Sequence, residues 1–265
     1  MAGRRGVIMG VANDHSIAWG IAKALAAEGA ELAFTYQGDA IERRVRPLAA
    51  SVGSKHILPC DVTSAQQIDQ VFDSIGATWP HIDFVVHAIA YSDKEELSGA
   101  YVNTSRKNFL KTMDVSCWSF TAIARRAAEM MTLGGSLVTL TYAGAERVMP
   151  NYNVMGVAKA ALEASVRYLA TDLGPRGIRV NAISAGPMRT LAGSAIGNAR
   201  QVFQNNQRHA PLRRTVTLDE LGGAGIYLLS DLGAGVTGEV MHVDSGYNII
   251  GMGHPDIPQG TGKLS

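Results

Sequence analysis

Short apolar runs alternate with longer amphipathic ones from the first residues onward. "GVIMG" is a continuous buried-strand pattern, "SIAWGIAKALAAEGA" carries apolar residues at helical spacing as far as Gly29, and "ELAFTY" is a second strand. The alternation then repeats. "DAIERRVRPLAASVG" reads as a helix, "KHILPC" as a strand, "SAQQIDQVFDSIGATW" as a helix N-capped by Ser64, and "IDFVVHAIA" as a strand. "SRKNFLKTMDVSCWSFTAIARRAAEMM" reads as one long helix and "GSLVTLTY" as the fifth strand. A helix from Tyr152 to Gly174 leads to the strand "GIRVNAISAG". After an irregular stretch over 189–215 come the helix "TLDELGGAGIYLLSD" and the strand "GEVMHVDSG". Parallel neighbours need a crossover of a dozen or more residues, and a helix supplies it. The pattern therefore predicts an α/β fold: a single-domain, doubly wound (Rossmann-type) sheet of seven parallel strands with helices on both faces. Residues 1–250 show no composition break and read as one domain, and the Gly- and Pro-rich 251–265 as a tail.

Composition narrows the partners. The 265 residues are 46% hydrophobic and 18% charged, with net charge +1 and no block of Lys or Arg. Nucleic acid and anionic membrane surfaces are poor fits to that balance. The two cysteines, Cys60 and Cys117, fit no metal spacing and read as buried, reduced thiols; no metal site is expected. The opening "MAGRRGVIMGVAND" lacks the apolar stretch of a signal peptide, and no run approaches the roughly 18 apolar residues of a membrane span, so a cytoplasmic protein is expected.

In a doubly wound sheet a ligand binds beyond the carboxyl ends of the strands, beside the turn after the first. Here that turn is "MGVANDHSIAWGIA". Gly10 permits a tight reversal, and Ser16 and Ile17 open the following helix, whose free N–H groups and dipole suit a pyrophosphate. A regular G-x-G-x-x-G would place glycines where Ala12 and His15 stand, so the turn by itself is equally a simple strand-to-helix connection with Ser16 as N-cap. Two strand ends add to it. Asp61, after the third strand, can accept from an adenine amino group while Val62 packs on the ring. Gln37, after the second, is neither the acid that favours NAD nor the cation that favours NADP, yet its amide can bond a ribose hydroxyl. Arg43 and Arg44 lie further on and read as a solvated helix face. The balance favours NADH.

Tyr152 and Lys159 stand seven residues apart at the start of an apolar helical run. Seven residues are almost two turns, so both side chains leave one face, roughly 10 Å apart along the axis, placed to grip different parts of one ligand.

"TLTYAGAERVMPNYNVMGVAK" resembles the catalytic segment of the short-chain dehydrogenase/reductase superfamily, whose usual Tyr-x-x-x-Lys is widened here to six intervening residues, with Tyr142 ten residues upstream of Tyr152. That arrangement is similar to the divergent branch containing the bacterial NADH-dependent enoyl-acyl-carrier-protein reductases. The likeness runs through "GVANDHSIAWGIA", "GAELAFTYQ", "CDV", "GIRVNAISAGPMRTLA" and "TGEVMHVDSGY", in that family's order. The resemblance implies reduction of the trans-2 double bond of enoyl thioesters on acyl carrier protein with NADH, the last step of the fatty acid elongation cycle. It implies that Tyr152 bonds the thioester oxygen, that Lys159 holds the nicotinamide ribose, and that Tyr142 completes the catalytic set. Ile89, Met188, Arg189, Thr190, Leu191 and Ala192 would line the cofactor, the backbone of Ser92 would meet the substrate, and 189–215 would form a mobile lid in which His209 is a surface residue. It further implies a homotetramer built through the Tyr152 helix, where Ala158, Ala161 and Ala164 permit close approach.

A ketone reductase of the superfamily places a serine about 13 residues before its tyrosine; Thr139 stands there, inside an apolar strand, and Thr141 is the nearest substitute. Carbonyl or enone reduction on the same scaffold is the competing activity, and a non-catalytic nucleotide-binding protein a more distant one. One departure bears on ligands: where the family often has His-Ser-Ile-Gly or His-Ser-Ile-Ala, this chain has "HAIA", His87 to Ala90, and the Ala90 methyl is expected to narrow the mouth of the pocket.

Overall fold

Every strand pairs in parallel with its neighbours in the order β3-β2-β1-β4-β5-β6-β7. The strands are β1 (Arg5–Met9), β2 (Glu31–Tyr36), β3 (His56–Pro59), β4 (Phe84–His87), β5 (Gly135–Thr141), β6 (Ile178–Ala185) and β7 (Val240–Val243). The computed structural model describes residues 1–190 and 199–253. From β1 the chain winds outward to β3, then returns to β4 and winds the other way to β7, so the carboxyl ends of β1 and β4 flank the crevice where a doubly wound sheet takes its ligand.

Why both faces are covered can be read along β1. Val7 and Met9 join one apolar cluster, with α3 (Ala65–Gly76), α5 (Ser119–Met130) and α6 (Asn153–Leu173); Ile8 joins the other, with α1 (Ile17–Ala27), α2 (Asp39–Ser51) and α8 (Leu218–Leu229). The period-two alternation thus feeds two cores, and β4 is buried along its whole length while the edge strands β3 and β7 are mostly half-exposed. Ser64 caps α3 as expected, its Oγ accepting from the Gln67 amide at 3.3 Å. Cys60 and Cys117 are buried free thiols.

Four expectations change. The single helix over 105–131 is α4 (Arg106–Met113), a π turn (Asp114–Trp118) and α5. Hydroxyls cause part of this: Ser119 Oγ donates to the Val115 carbonyl at 2.7 Å, and Ser116 bonds outward to the loop after β4. The irregular stretch 189–215 contains a helix, α7 (Ala199–His209), whose ARQVFQNNQRH sequence has too few apolar positions to announce itself. His209 in it is half-buried, close enough to Gly253 that a Cβ there would stand 2.3 Å from its Nδ1, so it is not a surface residue. Ala158 has no solvent exposure and Ala161 packs against an apolar cluster of the core, which leaves Ala164 as the one of the three alanines neither fully buried nor packed on that cluster.

Candidate active site

A cavity of about 1550 Å³ opens over the carboxyl edge of the sheet. Gly10, Ser16, Ile17, Gln37, Asp61 and Val62 line it from the first three strand ends. Ile89 and Ser92 line it after β4, Tyr142, Tyr152 and Lys159 between β5 and α6, and Met188, Arg189 and Thr190 after β6. Leu191 and Ala192 lie outside the described residues, as does 254–265.

At the nucleotide end, Gly10 has φ +99° and a Cβ there would lie 2.1 Å from the Ala88 carbonyl oxygen, so only glycine lets β1 turn this close to β4. Ser16 occupies the N-cap position of α1, but its Oγ accepts from the amides of Ala12 at 3.0 Å and Asn13 at 3.1 Å and makes no cap bond to α1. The hydroxyl braces the turn, and the first-turn N–H groups of α1 stay directed at the cavity. Asp61 accepts from the Thr63 amide at 2.9 Å and its hydroxyl at 2.7 Å. Burial pushes the Asp61 carboxyl up, but these bonds and one from Gln37 outweigh it and hold it below the usual carboxylate value. Arg43 and Arg44 are exposed and do not line the cavity. Cys60 does line it, its thiol pushed up to about 12 by burial and the Asp61 charge.

At the other end the two tyrosine rings meet edge to face, centroids 5.1 Å apart and planes at 72°. Tyr152 is the N-cap residue of α6 rather than its first helical residue, and Gly144 makes room for it: a Cβ there would stand 2.3 Å from the Tyr152 ring. Leu97, Met155, Phe109 and Met149 form an apolar wall around the pair. Burial, then the Tyr142 and Glu163 charges, push the Tyr152 phenol well up, and burial with Tyr247 pushes Tyr142 to about 12. Both phenols are thereby held protonated, as hydrogen-bond donors. Lys159 is buried, its Nζ donating to the Leu140 carbonyl at 2.7 Å, and burial pulls it down to about 8 against Cys117 and Glu163.

Thr141 lines the cavity and Thr139 does not, and the hydroxyl of each is engaged inside the protein. Thr139 Oγ1 sits 2.9 Å from His87 Nδ1 and 3.1 Å from the His87 carbonyl, its one proton shared between these two acceptors; Thr141 Oγ1 donates to buried Glu163 at 2.6 Å. His87, bridged on its far side to Ser119 at 2.9 Å, is lowered to about 3 by burial and the Lys159 charge, and stays neutral. Neither hydroxyl is free to bind a substrate carbonyl.

Sequence reasoning placed 189–215 over the site but singled out none of Arg200, Val202 and Phe203 of α7, which line the cavity, with the Arg189 guanidinium 4.8 Å over the Phe203 ring. It also missed Val115 and Met149. No motif marks these; they are single residues brought in by packing.

A nucleotide-sized crevice at the switch point, a glycine turn facing a helix N-terminus, and a Tyr–Lys pair on one cavity wall define a dinucleotide-dependent reductase of the short-chain type. The comparisons sharpen that class. Residues 10–248 match the model of the enoyl-(acyl carrier protein) reductase family, and the chain belongs to that family. A Rhizobium meliloti protein, NADH enoyl-[acyl-carrier-protein] reductase 2, is 65% identical over 252 residues, 95% of this chain and 94% of its own. An Anaplasma phagocytophilum enoyl-(acyl-carrier-protein) reductase solved with NAD superposes with TM-score 0.93 at 56% identity, covering 97% of this chain and 96% of that one. The Bacillus cereus enoyl-acyl carrier protein reductase, solved with NADP+ and an indole naphthyridinone, has TM-score 0.93 at 51% identity over 95% of this chain and 98% of its own.

Proposed function

We propose that this protein reduces the trans-2 double bond of enoyl thioesters carried on acyl carrier protein, using NADH, as the last reduction of a fatty acid elongation cycle. The observation that carries the reading is the Tyr142–Tyr152 pair beside Lys159, with the Thr139 and Thr141 hydroxyls both spent on buried partners. A carbonyl reductase needs a second hydroxyl at that point and has none here.

The cavity fits a dinucleotide on its own terms: only glycine clears Ala88 in the first turn, the Ser16 side chain leaves the α1 amides open to a pyrophosphate, and Gln37 with Asp61 offers an acceptor set to ribose and adenine. When bound, NADH supplies the hydride that adds at C3 of the enoyl group. Negative charge then gathers on the thioester oxygen, and the Tyr152 phenol, kept protonated by burial, donates a hydrogen bond where that charge forms. The same phenol is placed to supply or relay the proton that C2 takes up. Lys159, held by Leu140, presents its ammonium to the ribose hydroxyls. Tyr142 closes the site edge-on against Tyr152 and shields the oxygen from water.

Assembly as a homotetramer through α5 and α6 is supported by large apolar side chains left in water: Trp118 at the head of α5 is 59% exposed and Tyr168 on α6 is 76% exposed. No helix among the described residues is long and apolar enough to cross a membrane, which is compatible with a cytoplasmic enzyme. The test is direct: purified protein is mixed with NADH and a crotonoyl thioester, and absorbance at the reduced-nicotinamide band is followed. Oxidation dependent on both is expected; none with any acyl length, or oxidation with ketones instead, overturns the reading. Sedimentation at micromolar concentration tests the tetramer.

A further inference from the structure

The loop after β4 carries the substrate side of the cavity, with Ala90, Tyr91 and Ser92 lining it. It has no ladder partner beyond Ala88, so its polar groups must be satisfied some other way. Three side chains do this, all with no solvent exposure: Asn108, Thr112 and Ser116. Asn108 Oδ1 accepts from the Asp93 amide at 3.0 Å and its Nδ2 donates to Ser92 Oγ at 3.1 Å. Thr112 Oγ1 donates to the same Ser92 oxygen at 3.0 Å. Ser116 Oγ accepts from the Tyr91 amide at 3.0 Å and donates to the Tyr91 carbonyl at 3.1 Å, holding that residue's backbone at both ends.

The three stand four residues apart, and in an uninterrupted α-helix each such step would drift about 40° around the axis. The π turn Asp114–Trp118 widens the helix where Ser116 sits and offsets that drift, so all three reach one short loop. The irregularity in the helix thus has a geometric purpose. With the Ser92 hydroxyl committed to Asn108 and Thr112, the loop offers its backbone to the cavity. None of the cradle's bonds to the loop reaches a residue of the nucleotide half.

We propose that Asn108, Thr112 and Ser116 are positioning residues for the substrate: they fix the backbone of residues 90–92 and thereby set affinity for the acyl thioester and not for NADH. This rests on the reading of the cavity as an enoyl-thioester site.

The test compares Thr112→Val, which keeps the shape and loses the hydroxyl, with Thr112→Ser, which keeps the hydroxyl, and adds Ser116→Ala. Steady-state kinetics with crotonoyl thioester and NADH give both KM values. Thr112→Val and Ser116→Ala are expected to raise KM for the thioester about tenfold, the size of a lost buried hydrogen bond, with KM for NADH within about twofold of wild type. Thr112→Ser is expected to match wild type. A parallel rise in KM for NADH, a change confined to kcat, unchanged thioester KM, or a Thr112→Ser as impaired as Thr112→Val overturns the proposal. If Ser116→Ala does not fold, the Thr112 pair decides alone. A wild type inactive with every enoyl thioester overturns the assigned reaction and the proposal with it, whereas an active wild type matched by its variants overturns the cradle alone.

Discussion

At the nucleotide end of the cavity the ligand-facing groups are backbone amides and the exposed or half-buried polar ends of Gln37 and Asp61; at the catalytic end they are Tyr152 and Lys159, removed from water, and the half-buried Tyr142, each shifted by burial. The first end binds through geometry that hardly depends on protonation, since the Asp61 carboxyl is held charged. The second works by holding two phenols protonated and one amine whose charge is lost as pH rises through about 8. A single cavity therefore contains one half that should tolerate pH and conservative change, and one that should tolerate neither.

The sharpest way to break that contrast is Tyr152→Phe. Loss of one donor to a developing oxyanion typically costs about 10²–10³ in kcat. NADH affinity should stay unchanged, because the proposed partner of the phenol is the substrate oxygen. Tyr142→Phe should cost less, and an equal fall in kcat for the two variants would exchange their roles. Presteady-state oxidation of NADH reads the chemical step directly.

Lys159 gives the next largest effect and a sign. Its conjugate acid is pulled down to about 8, and the proposed bonds to the ribose hydroxyls need the protonated form. Below pH 8 the ammonium is present; as pH rises through 8 it is lost, so NADH affinity should fall about tenfold between pH 7 and pH 9. Lys159→Met should bind NADH weakly and without that slope. A wild-type dissociation constant flat over this range, measured by nicotinamide fluorescence, would remove the role.

The same division explains what could be read from the sequence. Nucleotide chemistry falls one or two residues past a strand end, so finding the apolar runs was enough to find Gly10, Gln37 and Asp61. Tyr152 and Lys159 were legible because helix geometry turns a spacing into a face. Thr141 was not: its hydroxyl is spent on Glu163, 22 residues away, a tertiary fact with no local trace. Asn108, Thr112 and Ser116 look like a solvated stripe on an amphipathic helix, and only the chain folding over them makes that stripe an interior surface. The π turn and α7 were missed for the same reason, since each is stabilised by what it packs against.

A smaller effect is expected at Gln37. It offers no cation to a 2′-phosphate, so supplying one there tests what sets cofactor choice. Gln37→Arg should move the NADH-to-NADPH preference toward NADPH by about tenfold in kcat/KM, the value of one charge-assisted bond. An unmoved ratio would place discrimination elsewhere in the nucleotide half.

The smallest effect tests the lip of the catalytic half. Ala90 lines the cavity and is exposed, and its φ is not positive, so glycine there is not required by the backbone. Its methyl stands one residue before the Tyr91 backbone that Ser116 clamps, where the loop cannot retreat. A flat biphenyl-type inhibitor entering beside the nicotinamide must accommodate that methyl. Ala90→Gly should therefore bind such an inhibitor more tightly, by about two- to fivefold, the range for one methyl group's worth of crowding. The sign is the informative part. Tighter inhibition of wild type than of Ala90→Gly would mean that the methyl contributes contact rather than obstruction, and that the loop yields despite its cradle.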